Sequence, residues 1–499
     1  MNAMELSALP SQPVANRGFE RAITIVAKFM MVLAGAGVVF MALATAYDVI
    51  ARYAFNSPTV WAMEMSTYVL VATIFFGSAY AQIQGAHVRV DVLLSRLSPP
   101  GRRTAAQTGA WLAVLVVVIM AWQSWLLVLS DYRSGARMLS LLSQFLPGPM
   151  VTQTMADHGA EVIKIEPLTG EPVRNVGYRF NGESVWFRNT HRGKKSVTLD
   201  LKDKDDHAVF MRLAADADVV VEAFRPGVVD RLGVGYEAVK AINPGVVYAS
   251  ISAFGQTGPD AHRPAHDIAI QAMAGVVSLN LGSDGKPTNP HMPVADMAGS
   301  FTAFIGILMA LIRRQTTGQG DYIDVSMQDS TMAWLPNVTG PVFAENRAPR
   351  VKEERSFGGY AFFAPYETSD GRHIVLGGVE HKFVVNLLTA LGRNDLIEVA
   401  CGAPGPSQEP VKAFLRGVFR GKTRDEWEEW FADKDVCFAP VLDLHEAFHR
   451  DHVARRDMLL CDEDGNLHIG TPIKYRNEAA RIDFRLPALG EHNKEFKGR

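Results

Sequence analysis

Gly159-Ala-Glu-Val-Ile-Lys-Ile-Glu-Pro167 is the stretch whose reading decides the fold. Its β-branched run has no helical periodicity and stops at a proline, which predicts a buried strand over 161–166. The Gly/Pro-rich segment Ser143-Gln-Phe-Leu-Pro-Gly-Pro149 opens a helix over 150–159 that leads into it. Downstream, the short runs Val197-Thr-Leu, Val219-Val-Val and Val246-Val-Tyr-Ala-Ser-Ile alternate with helical segments over 205–215 and 236–242. Strands alternating with helices predict an α/β fold, a Rossmann-like parallel sheet covered on both faces. Gly233-Val-Gly235 lacks the spacing of a dinucleotide fingerprint, so nothing in this pattern points to NAD. Residues 133–142 read either as a loop of the region before them or as the first strand of the sheet.

Upstream, the sequence changes character. The bulk figures for the 499 residues are ordinary, with 48% hydrophobic, 21% charged and a net charge of −3. That average hides an apolar N-terminal quarter. Residues 29–50 are interrupted only by Asp48, and further apolar runs cover 65–81 and 108–129. Each is long enough, or nearly so, to cross a bilayer, and together they predict an all-α region of three transmembrane helices. Arg17, Arg21 and Lys28 precede the first run, and Arg89, Arg96, Arg102 and Arg103 lie between the second and third. The positive-inside rule then puts the N-terminus in the cytoplasm. Three spans would leave everything after residue 129 on the other side.

Composition also excludes some functions. No basic excess points to nucleic acid. Cys401, Cys437 and Cys461 are too far apart for a Cys-x-x-Cys zinc or redox motif and suit free thiols. No metal-ligand cluster, nucleophile elbow or P-loop is present in the sequence.

The residues with chemical potential concentrate over 265–315. Asp296 stands just ahead of the apolar run 297–312, at the expected start of a buried helix. It is either a plain N-cap or a carboxylate kept ionised by the helix N-terminus for use as nucleophile or base. His266 and Asp267 sit together in Pro264-Ala-His-Asp267. A lone histidine is more often structural, and Asp267 reads as an orienting group. Glu380 follows the strand His373-Ile-Val-Leu and precedes a helix over 381–391, where it could simply cap. Arg192, Lys194, Lys195 and Arg225 are candidates for holding phosphates, against the plainer reading of a solvated charged face.

Two family resemblances organise these observations. Arg52-Tyr-Ala-Phe-Asn-Ser-Pro58, Trp61-Ala-Met-Glu64 and Gly85-Ala-His-Val-Arg-Val-Asp-Val92 resemble the small membrane subunit of the TRAP transporters, over about residues 20–135. That family has four spans; here the fourth is missing. The resemblance implies inner-membrane insertion through about 22–129 and a TRAP large subunit as partner.

From about residue 140 to 499 the chain resembles the family III CoA-transferases, the superfamily that includes α-methylacyl-CoA racemase. The motifs are the opening stretch, His191-Arg-Gly-Lys-Lys-Ser-Val-Thr-Leu-Asp-Leu-Lys202, Glu222-Ala-Phe-Arg-Pro-Gly-Val228, Ser252-Ala-Phe-Gly-Gln-Thr-Gly-Pro259, Thr317-Gly-Gln-Gly320 and Leu489-Gly-Glu-His492. The resemblance implies a large CoA-ester-binding domain made of 139–354 and 441–499, with a smaller domain, 355–440, inserted, after a membrane region over 1–138. It implies an intertwined homodimer with acyl-CoA bound where the subunits meet, and no cofactor beyond CoA as part of the substrate. In the motif Asp296-Met-Ala-Gly299 the family's catalytic carboxylate is Asp296. His266 matches one of the two α-proton bases of the racemase branch, and Glu380 lies in a setting close to a racemase glutamate.

Two mechanisms follow from one site. In racemisation, His266 and Asp296 exchange the α-proton on opposite faces of an enolate. In CoA transfer, Asp296 attacks the thioester and passes through an anhydride and an enzyme thioester. Racemase-like chemistry is preferred here because His266, Asp296 and Glu380 occur together. A third reading is a transporter subunit with an inactive fused tail. For an active enzyme the cytoplasm is the expected location of the CoA-handling region.

Overall fold

In the computed structural model, residues 17–54, scattered positions between 66 and 122, 137–141 and 145–498 are described. The chain divides into two compact units, residues 1–129 and 130–499.

In the first unit, helix α1 (Arg17–Ala54) carries an apolar segment of 25 residues, Thr24–Asp48. At 1.5 Å per residue such a segment is long enough to cross the hydrocarbon core. Its large side chains, including Phe29, Val32 and Leu43, are exposed, whereas Ala27, Ala34 and Ala44 are buried. At Gly37 a Cβ would lie 2.5 Å from Thr73 Oγ1, so the missing side chain permits close helix approach. The second and third apolar runs, over 65–81 and 108–129, lie outside the described residues apart from isolated positions, and so does a test of the expected three spans.

The second unit is built on a six-stranded parallel sheet. Its strands are β1 (Arg137–Leu141), β2 (Glu161–Glu166), β3 (Lys195–Thr198), β4 (Val219–Glu222), β5 (Val247–Ser252) and β6 (Asp321–Ser326). They lie side by side in the order β3-β2-β1-β4-β5-β6, every pairing parallel. This is the doubly wound order, in which the chain runs outward from β1 in one direction and then in the other. One face packs Phe210, Leu213 and Tyr248 over the strands, and the other packs Val151, Met155, Ala303 and Ile307.

The ambiguous segment 133–142 is therefore settled: Arg137–Leu141 is the central strand, paired with β2 on one side and β4 on the other. Met138 and Leu139 are wholly buried. The expected division between 138 and 139 falls inside this strand, because both residues belong to one continuous hydrogen-bonded ladder. The unit boundary lies earlier, between 129 and 130.

Helix α2 (Pro147–Asp157) follows β1 and starts on a proline, which cannot donate and suits the first helical position. Helices α3 (Val185–His191), α4 (Lys204–Ala215) and α5 (Tyr236–Ile242) connect the next strands. Beyond β5 come α6 (Asp267–Met273) and the long α7 (Val294–Thr317), whose C-terminus turns through Gly318 in the left-handed conformation.

After β6 the chain forms a separate small sheet of β7 (Phe363–Glu367), β8 (His373–Gly377) and β9 (Phe438–Pro440), all antiparallel. Its own core contains Ile374, Leu387, Leu415 and Trp427. The C-terminal segment then returns to the large sheet at its β3 edge. His492 N donates to Ser196 O, and Asn493 Oδ1 accepts from Thr198 N at 2.9 Å.

Candidate active site

The carboxyl ends of β1, β4, β5 and β6 open into one cavity of about 590 Å³. Phe145 and Pro147 after β1, residues 223–226 after β4, Ser252 on β5 and Met327 after β6 line it. His266 and Asp296 complete the wall. β1 and β4 are the strands between which the winding reverses, and doubly wound folds bind ligands in that crevice.

Asp296 stands at the third position of α7, not ahead of it as the sequence suggested. The capping is done by Asp267, whose Oδ1 accepts from Ala295 N at 2.8 Å and Asp296 N at 3.1 Å. Gln271 Nε2 steadies the other Asp267 oxygen at 2.6 Å. The Asp296 side chain is thereby left without a hydrogen bond from any described residue, facing the cavity. Burial and, secondarily, the negative Asp267 push its pKa up to about 7. The expected fully ionised carboxylate is corrected on this point. The helix N-terminus favours charge, but its free amides are taken by Asp267 and the low-dielectric wall works against ionisation.

Two contacts hold Asp296 in place. Ser300 Oγ bonds Pro147 O at 2.9 Å and Asp296 O at 2.7 Å, tying α7 to the first turn of α2. Gly299 lets α7 approach the chain after β6, since a Cβ there would fall 2.6 Å from Met327 Cγ. His266 is the N-cap residue of α6 and is exposed to the cavity. The Phe145 ring meets it edge-on at 5.7 Å between centroids. Phe145 has φ +60°, a conformation that costs a bulky residue energy and here aims the ring at the histidine.

The four candidate phosphate ligands separate sharply. Arg225 is exposed on the cavity wall. Arg192 is buried and forks onto Asp157, with Nη2 to Oδ2 at 2.6 Å. Lys194 is buried as well, and its three donors go to Pro149 O, Thr152 Oγ1 and Thr190 O. Burial, and next the nearby Lys164, hold the Lys194 pKa well below the usual lysine value. Lys195 pairs with Glu161 and Glu495 at 2.8 and 2.9 Å. The loop read as a phosphate cradle is thus a set of internal braces between α2, α3, β2 and the C-terminus.

Glu380 is exposed at the N-cap of helix α8 (His381–Ala390) and makes no capping hydrogen bond. It does not line the His266–Asp296 cavity of its own chain. Phe145 and Arg263, which also lines the cavity, escaped the sequence reading. Nothing local marks Phe145, because a positive φ leaves no trace in residue type except at glycine and asparagine.

The model of CoA-transferase family III matches residues 134–493. The chain belongs to this family. It is 36% identical over 370 residues to acetyl-CoA:oxalate CoA-transferase of Acetobacter aceti, covering 71% of this chain and 93% of that one. It is 33% identical over 364 residues to human alpha-methylacyl-CoA racemase, covering 71% and 90% respectively. A solved CAIB/BAIF family protein from Brucella suis superimposes with TM-score 0.64 at 30% identity, over 73% of this chain and 98% of that one. Residues 41–154 match the DctQ component of the tripartite ATP-independent periplasmic transporters. The two matches overlap over residues 134–154, where the structure has β1 and most of α2.

Proposed function

We propose that the family III unit transfers the α-proton of an acyl-CoA ester, with His266 and Asp296 as the two acid–base groups. The observation that carries this reading is the one cavity that both side chains line, one of them a carboxyl group with a pKa of about 7. A group with that pKa can both give and take a proton at neutral pH, which a racemase needs in each direction. His266 or Asp296 removes the α-proton, the thioester oxygen carries the enolate charge, and the other group protonates the opposite face. Arg225 meets a CoA phosphate, and no cofactor beyond the CoA ester takes part.

CoA transfer is the second reading, favoured by the 36% identity to an acetyl-CoA:oxalate CoA-transferase. There Asp296 in its ionised form attacks the thioester carbonyl and CoA thiolate leaves. Incubation with a 2-methylacyl-CoA in deuterated water, without any acceptor acid, separates the two. Deuterium entry at the α-carbon is expected. No entry, together with hydroxylamine-sensitive labelling of Asp296, would establish the transferase instead.

The unit works as a homodimer in this reading. Ile305, Met309 and Ile312 leave an apolar stripe exposed on the helix that carries Asp296, and a second copy would cover it. Glu380 would then serve a site completed by two chains. The N-terminal unit anchors the enzyme in the inner membrane beside a TRAP large subunit, and a cytoplasmic CoA-handling unit then requires an even number of crossings, so that one of the three apolar runs does not span. Protease added to sealed spheroplasts should leave residues 130–499 intact, and cleavage there would oppose this placement.

A further inference from the structure

Glu222, the last residue of β4, is 1% exposed and takes no part in the chemistry described above. Its Oε2 accepts from Phe224 N at 2.7 Å, closing the turn that carries Phe224, Arg225 and Pro226 into the cavity wall. Its Oε1 accepts from Ser250 Oγ, directly across the β4–β5 register. Ser250 Oγ in turn accepts from Gln256 Nε2 at 2.7 Å. Gln256 N reaches both carboxylate oxygens of Asp324 on β6, at 3.1 and 3.0 Å. One chain of hydrogen bonds therefore ties the carboxyl ends of three strands to the two loops that wall the cavity.

We propose that Glu222 is a positioning residue, holding the turn that presents Arg225 to a phosphate of the CoA ester. This rests on the reading of Arg225 as a phosphate ligand. Among the described residues, Asp230 after β4, Tyr248 on β5, and Tyr322 and Asp324 on β6 act on Glu222, and all four are acids. Burial first, then Asp230 and Asp324, raise its pKa to about 7 against the opposing hydrogen bonds of Ser250 and Phe224. Below that pH the carboxyl is neutral and braces the turn. Above it, a negative charge stands behind an anion site, so affinity for an anion falls as pH rises through 7.

The test measures free CoA binding to the full-length protein, solubilised in detergent, from pH 6 to pH 8.5. Arg225→Ala and Glu222→Ala should each weaken binding about tenfold at pH 6, and the double variant should be no worse than either alone. Glu222→Gln keeps an acceptor for Phe224 N and, like the neutral carboxyl, turns a donor towards Ser250 Oγ in place of the acceptor that the ionised form offers, so it should bind as the wild type does at pH 6. Wild-type affinity should then fall about fivefold towards pH 8.5 relative to Glu222→Gln. If Arg225→Ala weakens binding but Glu222→Ala does not, or the two losses add, the proposal is overturned while Arg225 stands as a CoA ligand. If Arg225→Ala binds normally, both fail. Should Glu222→Ala not fold, a wild-type pH profile in Glu222→Gln still overturns the proposal.

Discussion

The N-terminus of α7 and the loop after α3 both drew attention in the sequence for their charges, and the fold uses them in opposite ways. At α7, Asp267 satisfies the helix amides and leaves the Asp296 carboxyl without a described partner in a cavity. After α3, Arg192 and Lys194 are buried with every named contact inside the protein. A charge can meet a substrate only if its own fold has not already claimed it. The same rule sorts Arg225, on the cavity wall, from Lys195, held between two glutamates.

Removing a charge from each region should therefore have opposite consequences. Asp296→Asn is expected to lower turnover about 10³-fold or more by deleting an acid–base group, read as α-deuterium exchange. The variant should nonetheless be more heat-stable than wild type above pH 7. Asp296 has a folded pKa near 7, above its ordinary value of 3.8. The folded state thus holds the extra proton, and stability drains away as pH rises from the lower value through the upper one. The gain on substitution should be a few degrees at most, roughly 2–4 °C in Tm. Loss of stability at pH 8 would contradict this account of the carboxyl.

Arg192→Ala should do the reverse, costing about 3–5 kcal/mol because Asp157 is left as a buried, unpaired carboxylate. Denaturant unfolding measures that loss, and an unchanged midpoint would return Arg192 to the list of ligand residues. Phe145→Gly should relieve about 1 kcal/mol of backbone strain, partly offset by the glycine's greater freedom when unfolded. Activity should fall about tenfold as the His266 ring loses its support. The smallest effect belongs to Lys195→Met, whose half-exposed ion pairs are worth about 1 kcal/mol or less. A drop as large as that of Arg192→Ala would show that solvent exposure does not separate these two braces.

Residues 134–154 carry the same lesson at the scale of the chain. Both family matches reach into this segment, and the sequence alone left 133–142 open between a membrane-protein loop and a strand. In the structure, Arg137 Nε bonds Glu161 at 2.8 Å and Met138 and Leu139 are buried between β2 and β4. A central parallel strand is defined by its two neighbours, and those neighbours lie some 25 and 80 residues away.

The pattern of β-branched runs and helices was enough to announce a parallel α/β sheet, because a strand buried on both faces must be apolar throughout. The motif residues also marked His266, Asp296 and Arg225, which meet at one cavity. Local sequence could not say which carboxylate would cap α7, since Asp267 and Asp296 are 29 residues apart and either could reach a helix N-terminus. Nor could it tell an Arg-Gly-Lys-Lys loop that greets a ligand from one that braces a core. Burial and pairing are properties of the packed chain, and they alone decided that Asp296 has no partner among the described residues and titrates near neutrality while Arg192 and Lys194 are spent inside the fold.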